Sequence, residues 1–212
     1  MAAKDKSQHQ TARGMDDAKT YLEALARVEE LLKRARGTSL REPLAMSLAT
    51  ANAAGVPTVR VVLLRGFDAS GFVFYTNTQS NKGRDLAENP YVALVFYWDE
   101  LGEQLRVQGE VQPVSESEAD AYWISRPRDS QIGAWASQQS KCLDEMATLA
   151  RNVHNLERQF EAQEVLRPAC WSGYRVVPNR IEFWTNRAAR LHERVVYERG
   201  DDGDWTRGRL YP

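Results

Sequence analysis

The densest run of anion-binding side chains is Ser125-Arg126-Pro127-Arg128-Asp129-Ser130-Gln131-Ile132-Gly133-Ala134-Trp135. Two arginines and two serines fall within six residues there. A phosphate monoester is a dianion held by several charge-assisted donors, and guanidinium forks with hydroxyls meet that need. A solvated loop is the ordinary reading of a lone Arg-x-Arg. Tyr122 precedes the run and Gln139-Ser140 follows it. Three further clusters stand out. Arg60-Val61-Val62-Leu63-Leu64-Arg65 carries a cation at each end of an apolar strand, with Arg60, Val62 and Leu64 alternating against Val61, Leu63 and Arg65. Tyr75-Thr76-Asn77 followed by Ser80-Asn81-Lys82-Gly83 combines hydroxyls, helix-start N–H groups and an ammonium, the parts of an anion cradle. A capped helix accounts for it equally well. Ile181-Glu182-Phe183-Trp184 leads to Arg190-Leu191-His192-Glu193-Arg194. Extended backbone there would put Arg190, His192 and Arg194 on one face; a charged edge strand is the alternative.

The elements that must position these groups are mostly strands. A helix is predicted from Asp16, with Tyr21, Leu25, Val28, Leu32 and Ala35 on one face and Gly37 as its stop. Strands follow at Ala45–Thr50, Val59–Leu64 and Phe72–Tyr75, separated by Asn52–Gly55 and Asp68–Gly71 turns. Asn81–Glu88 reads as a short helix ended by Asn89-Pro90. Val92–Trp98 and Gln104–Val114 form a hairpin. Ser115–Ser125 is helical, with Ser115 and Glu118 spaced as a capping box. A longer helix is expected over Leu143–Phe160, with Leu143, Met146, Ala150, Val153 and Leu156 on one face. Strands Tyr174–Val177, Ile181–Trp184, Arg194–Arg199 and Trp205–Leu210 complete the chain. The expectation is a single antiparallel barrel domain over residues 15–212 with helices outside, preceded by a disordered polar tail over residues 1–14.

Composition narrows the partners. A net charge of −1 over 212 residues recruits neither nucleic acid nor an anionic membrane, so an anion site has to be a local cluster. Apolar runs are too short to span a bilayer, and Met1–Ser7 has no signal-peptide core. Cys142 and Cys170 with three histidines show no metal-ligand spacing. Free thiols and a cytoplasmic location are expected. No dinucleotide fingerprint or Walker loop is present.

Taken in order, "RVVLLR", "FVFYTN", "NKGRDLAENP", "FYWDELGEQLRVQGEV", "SRPRDSQIGAW", "SGYRVVPNRIEFW" and "RLHERVVY" resemble segments of the pyridoxine (pyridoxamine) 5'-phosphate oxidase family. The resemblance covers about residues 41–212. It implies a mostly β, Greek-key-like split β-barrel with flanking helices, and a homodimer with FMN at the subunit interface. It implies oxidation of pyridoxine or pyridoxamine 5'-phosphate to pyridoxal 5'-phosphate, with dioxygen as acceptor and hydrogen peroxide released. Carried over by motif, FMN would meet Arg60, Val61, Val62, Leu63, Leu64, Arg65, Tyr75, Thr76, Ser80, Asn81 and Lys82. Gln104, Gln139, Ser140, Trp184 and Arg194 would complete that set, some from the partner subunit. The substrate would meet Arg65, Tyr122, Arg126, Ser130, Arg190, Leu191 and His192, with Arg190 and His192 as the catalytic pair.

The chain departs from the family pattern at three places. Arg65 stands where lysine is usual, and Asn81 where arginine is common. Arg13-Gly14-Met15-Asp16 does not reproduce the arginine–tyrosine segment that many members fold over the substrate. A related FMN oxidase of the phenazine-biosynthesis type would be expected to alter the Tyr122/Arg126/Ser130 set, which is intact. A non-catalytic FMN or pyridoxal 5'-phosphate carrier would have no need of the Arg190–His192 pair.

Overall fold

The computed structural model of the protein describes residues 18–212; helix α1, with bounds Ala2–Arg36, is treated from Ala18 onward. The tail expected over residues 1–14 and the Arg13–Asp16 segment lie outside the described residues. Leu25, Val28, Leu32 and Ala35 are buried along one face of α1, as their spacing predicts. Tyr21 stacks on Trp205 at 4.7 Å, and Gly37 N–H closes the last turn on Arg34 O. Truncating Leu32 to alanine would cost about 2–5 kcal/mol, the usual range for a fully buried leucine.

Nine strands form one antiparallel sheet: β1 (Ala45–Ala51), β2 (Pro57–Leu63), β3 (Gly66–Asp68), β4 (Gly71–Asn77), β5 (Tyr91–Trp98), β6 (Glu103–Pro113), β7 (Trp171–Thr185), β8 (Glu193–Arg199) and β9 (Trp205–Leu210). Their order is β2-β1-β5-β6-β7-β4-β3, with β8 and β9 branching from β7. The sheet curls until edge strand β2 comes into contact with β4. Phe72, Phe74, Phe96, Leu105, Phe183 and Tyr197 fill the interior.

The segments expected at Tyr174–Val177 and Ile181–Trp184 are one 15-residue strand, β7. Pro178, between the two, cannot donate to a ladder. The strand continues because the register shifts at Gln108/Gly109 and places Pro178 opposite Gly109. A Cβ on Gly109 would lie 2.1 Å from Val177 O, so the bulge requires glycine. The N-terminal half of β7 pairs with β4 and the C-terminal half with β8. One strand therefore carries Trp171 and Gly173 at one end and Trp184 at the other.

Besides α1, four helices of the described residues lie outside the sheet: α2 (Asn81–Glu88), α3 (Glu116–Ser125), α4 (Arg128–Ala136) and α5 (Met146–Gln159). Ser115 Oγ accepts from Glu118 N–H at 3.1 Å, the first half of the capping box. The reciprocal half is diverted, because the Glu118 carboxylate pairs with Arg175 at 3.1 Å. Helix α5 begins three residues later than Leu143, and Leu143, Met146 and Ala150 are exposed. Only Val153 and Leu156 of the expected face pack, against a second small core of Trp123, Ile132, Val165 and Trp171. Among the described residues no helix is long and apolar enough to cross a membrane, and Cys142 and Cys170 are free thiols.

Candidate active site

Helix α2 starts where the chain leaves β4, and its first turn builds a cation cradle. Ser80 is the N-cap, its Oγ accepting from Gly83 N–H at 3.3 Å. Lys82 is only 8% exposed, and its Nζ donates to Thr76 Oγ1 (3.0 Å), Ser80 Oγ (3.2 Å) and Gln139 Oε1 (2.9 Å). All three partners are neutral, so the ammonium retains its charge for a ligand. Burial first, and then repulsion from Arg60, pull its pKa down to about 8. Ser140 Oγ accepts from Asn81 N–H at 3.2 Å. Ser140 holds φ at 74°, a left-handed conformation that is uncommon for a residue with a side chain.

Arg60 reaches back across the β1–β2 ladder. Its Nη1 donates to Leu48 O (3.2 Å) and Thr50 Oγ1 (2.8 Å), and Asp85 lies 3.8 Å from Nη2. Burial lowers its pKa, opposed by Asp85. Arg84 on the next turn of α2 donates to Asn81 Oδ1 and to Gln79 O. A guanidinium therefore lies beside position 81 although the residue there is neutral.

A second cationic group sits across the same hollow. Tyr75 and Tyr122 stack at 4.0 Å, and both rings lie nearly parallel to Trp171. A Cβ on Gly173 would meet the Tyr75 ring at 2.7 Å, so glycine there lets the ring lie flat on β7. Burial, with Glu118 adding to it, raises the Tyr75 phenol to about 12. Arg126 lies over the Trp171 and Trp123 rings at 4.7 and 5.0 Å. Its Nη1 is buried with no hydrogen-bond partner. Burial lowers the Arg126 pKa, with Tyr122 opposing and Arg65 adding to the effect. A buried guanidinium N–H with no acceptor is costly, and a ligand anion would relieve that cost.

The two groups share one cavity of about 1030 Å³. Arg60, Val61, Val62, Leu63, Arg65, Tyr75, Thr76, Asn81, Lys82, Tyr122, Arg126, Ser130, Gln139 and Ser140 all border it. Ser80 contributes from below through Lys82, and the Leu64 side chain turns away into the core at 2% exposure.

The C-terminal set does not join them within one chain. Gln104 and Trp184 border a separate small pocket beside Arg27 and Arg34 of α1. Arg190 and His192 do not share an extended face with Arg194. Ala188–Arg190 is a 3-10 turn, with φ of 54° at Ala189 and 61° at Arg190, and β8 starts only at Glu193. Leu191 is 70% exposed on that turn. The His192 ring packs on Trp184 at 4.5 Å, and its Nδ1 accepts from Arg187 N–H at 3.3 Å. A neutral ring so held carries its proton on Nε2. Arg194 donates to Glu182 Oε1 at 2.8 Å and to Tyr211 O at 3.0 Å.

Sequence reasoning missed Trp171, which floors the Tyr75/Tyr122/Arg126 group. It immediately precedes the recognised "SGYRVV" segment and carried no polar signal of its own. It also missed that Arg128–Ala136 is helical, which turns Ser130, Gly133 and Ser137 toward the cavity.

Comparison with known proteins decides the family. A family model described as pyridoxamine 5'-phosphate oxidase matches residues 32–160, and one for the pyridoxine 5'-phosphate oxidase C-terminal dimerisation region matches residues 171–212. The chain belongs to the pyridoxine/pyridoxamine 5'-phosphate oxidase family. A protein of that name from Sphingopyxis alaskensis is 50% identical over 202 residues, covering 95% of this chain and 90% of the relative. One from Myxococcus xanthus is 51% identical over 188 residues, covering 89% and 91%. Among solved structures, PhzG from Burkholderia lata, in complex with tetrahydrophenazine-1-carboxylic acid, superposes with a TM-score of 0.83 at 34% identity, covering 88% of this chain and 91% of that one. An FMN-binding protein from Nostoc punctiforme, described as pyridoxamine 5'-phosphate oxidase-related, shares the fold with a TM-score of 0.70 at 19% identity, covering 88% and 96%. The split barrel of this family is the curled antiparallel sheet described above. The family's dimerisation region contains Trp184, Arg190, His192 and Arg194.

Proposed function

We propose that the protein oxidises pyridoxine 5'-phosphate, pyridoxamine 5'-phosphate or both to pyridoxal 5'-phosphate, with FMN as cofactor and dioxygen as electron acceptor. One observation carries the reading: a single cavity holds two separate cation–hydroxyl groups. A flavin mononucleotide and a phosphorylated vitamer each bring one phosphate, so two such groups are what the pair requires. Lys82, Arg60, Thr76, Gln139 and Ser140 fit the cofactor phosphate and ribityl chain. Lys82 bonds to neutral groups, so an incoming anion displaces no carboxylate from it. Arg126, Ser130 and Tyr122 fit the substrate phosphate, with the unpartnered Arg126 Nη1 as the vacant donor. Arg65 borders the same cavity, near enough to Arg126 to repel it.

Arg190 and His192 serve the substrate ring from the partner subunit of a homodimer. The family's dimerisation region supports the homodimer, and exposed Val59 and Val61 on edge strand β2 at the cavity rim give a partner an apolar surface. Arg190 orients the pyridine ring and offsets negative charge; His192 hydrogen-bonds the 4' substituent and helps move its proton. FMN, when bound, supplies the acceptor for the hydride equivalent leaving the 4' carbon. The alcohol plus dioxygen gives aldehyde plus hydrogen peroxide; the amine also consumes water and releases ammonia.

The similarity to PhzG supports a second reading, a flavin oxidase acting on a tricyclic carboxylic acid. The phosphate-type donors at Tyr122, Arg126 and Ser130 favour the first. An aerobic assay of FMN-loaded protein with each vitamer tests this. Pyridoxal 5'-phosphate formed with equimolar peroxide over many turnovers is expected. Flavin binding without turnover on either vitamer would refute it and favour the second substrate class or a carrier.

A further inference from the structure

Strands β6, β7 and β8 present one continuous face around Trp184. The ladder places Gln104 and Arg194 opposite Trp184, and Arg106 opposite Glu182, two residues along the same face of β7. Gln104, Trp184 and Arg194 belong to the cofactor set of the reading above; Arg106 and Glu182 have had no role. Glu182 is 2% exposed, one of few buried charges among the described residues. Its carboxylate receives Arg194 Nε at 2.8 Å, Arg106 Nη1 at 3.3 Å and Arg180 Nη2 at 3.3 Å. Arg180 in turn also pairs with Glu198. Three guanidiniums thus converge on one buried carboxylate. A buried carboxylate is costly unless paired and hydrogen-bonded, and here the pairing is complete.

The consequence is geometric. Arg194 Nε is fixed by Glu182 and Nη1 by Tyr211 O, so its remaining Nη2 group has a set direction. A long side chain that is 23% exposed would otherwise sample many rotamers. We propose that Glu182 is a positioning residue that pre-orients Arg194 for the flavin cofactor, acting through Arg194 and not by touching the cofactor itself. This rests on FMN being the cofactor.

The test is a double-mutant cycle on FMN affinity, read from quenching of flavin fluorescence on titration into apo-protein. Wild type, E182Q, R194M and the E182Q/R194M double variant are compared, with circular dichroism and thermal melting on each. Glutamine keeps the shape of Glu182 while removing its charge. The dissociation constant is expected to rise roughly tenfold in E182Q, the scale of one charge-assisted hydrogen bond. In the R194M background the same change should alter it less than about twofold, because the partner it positions is gone. An equal loss in both backgrounds, or none in the wild-type background, would overturn the assignment. A wild-type protein that binds no FMN would instead sink the functional reading on which it rests. If E182Q melts before the titration temperature, E182D supplies the same cycle, with a partial loss again confined to the Arg194 background.

Discussion

The cavity walls and the β7–β8 turn use the same residue types in opposite ways. In the cavity, Lys82 is buried and Arg126 half-buried, and their partners are hydroxyls, an amide and aromatic faces. At the β7–β8 turn, Arg187 pairs with Glu193 at 3.1 Å and Arg194 with Glu182, while Leu191 stands exposed. A cation without a carboxylate is set to take an anionic ligand. A cation tied to a carboxylate is set in direction. The first region would hold phosphates by charge, and the second would offer oriented groups to a ring. Neither suffices for an oxidation, and the two do not meet within one chain.

The largest expected effect comes from breaking the second region. Arg190→Met should lower kcat by about 100-fold or more while FMN affinity stays within about threefold, on the scale of lost transition-state stabilisation. Steady-state kinetics with a parallel flavin titration reads this, and unchanged turnover would remove Arg190 from the site. Breaking the first region should look different. Arg126→Ala should raise KM for the phosphorylated vitamer by roughly 10- to 100-fold, the value of a hydrogen bond to a charged group. The unphosphorylated vitamer should be nearly unaffected, and an equal effect on both would refute the phosphate grip.

Much of this contrast was legible in the residues, and its limits have physical causes. The α2 boundaries, the Ser115 cap and the strand spacing follow from turn chemistry and alternation, which are local. The cradle around Lys82 was legible as a set because Thr76, Ser80 and Lys82 are close in the chain. Gln139 joins them across 57 residues, which only the motif resemblance suggested. The helical state of Arg128–Ala136 was hidden by Pro127, which favours loops yet here occupies the N-cap position. The Arg190 turn was hidden because positive φ at Ala189 and Arg190 has no signature in residues that carry a Cβ. Periodicity aligned Leu143 and Met146 with Val153 and Leu156 but could not show what covers that face, and both are exposed.

Two smaller effects sharpen the comparison. Lys82 titrates near 8 in the free protein against an ordinary 10.5. A bound phosphate favours its charged form, so FMN affinity should fall as pH rises above about 8, by up to about tenfold per pH unit. Stability of the apo-protein should move the opposite way over the same window. The unfolded chain still holds the Lys82 proton between about 8 and 10.5, so its contribution to stability rises with pH there. FMN titrations and apo-protein denaturation between pH 7 and 9.5 check both slopes, and Lys82→Met should flatten them. Asn81→Arg should tighten FMN by roughly threefold to tenfold, adding one charge-assisted contact. No change would mean that Arg84, already bonded to Asn81, supplies the cation.

The most direct test of a site divided between two chains is subunit complementation. Arg126→Ala and Arg190→Met proteins are mixed, dissociated and reassociated, and pyridoxal 5'-phosphate formation is followed at a vitamer concentration well below the raised KM of Arg126→Ala, where each parent turns over slowly. Random pairing restores one intact site in each mixed dimer, so activity should recover to roughly a quarter of wild type. Recovery no greater than the average of the two parents, with mixed dimers shown to form, would place both regions in one chain's site and contradict the account.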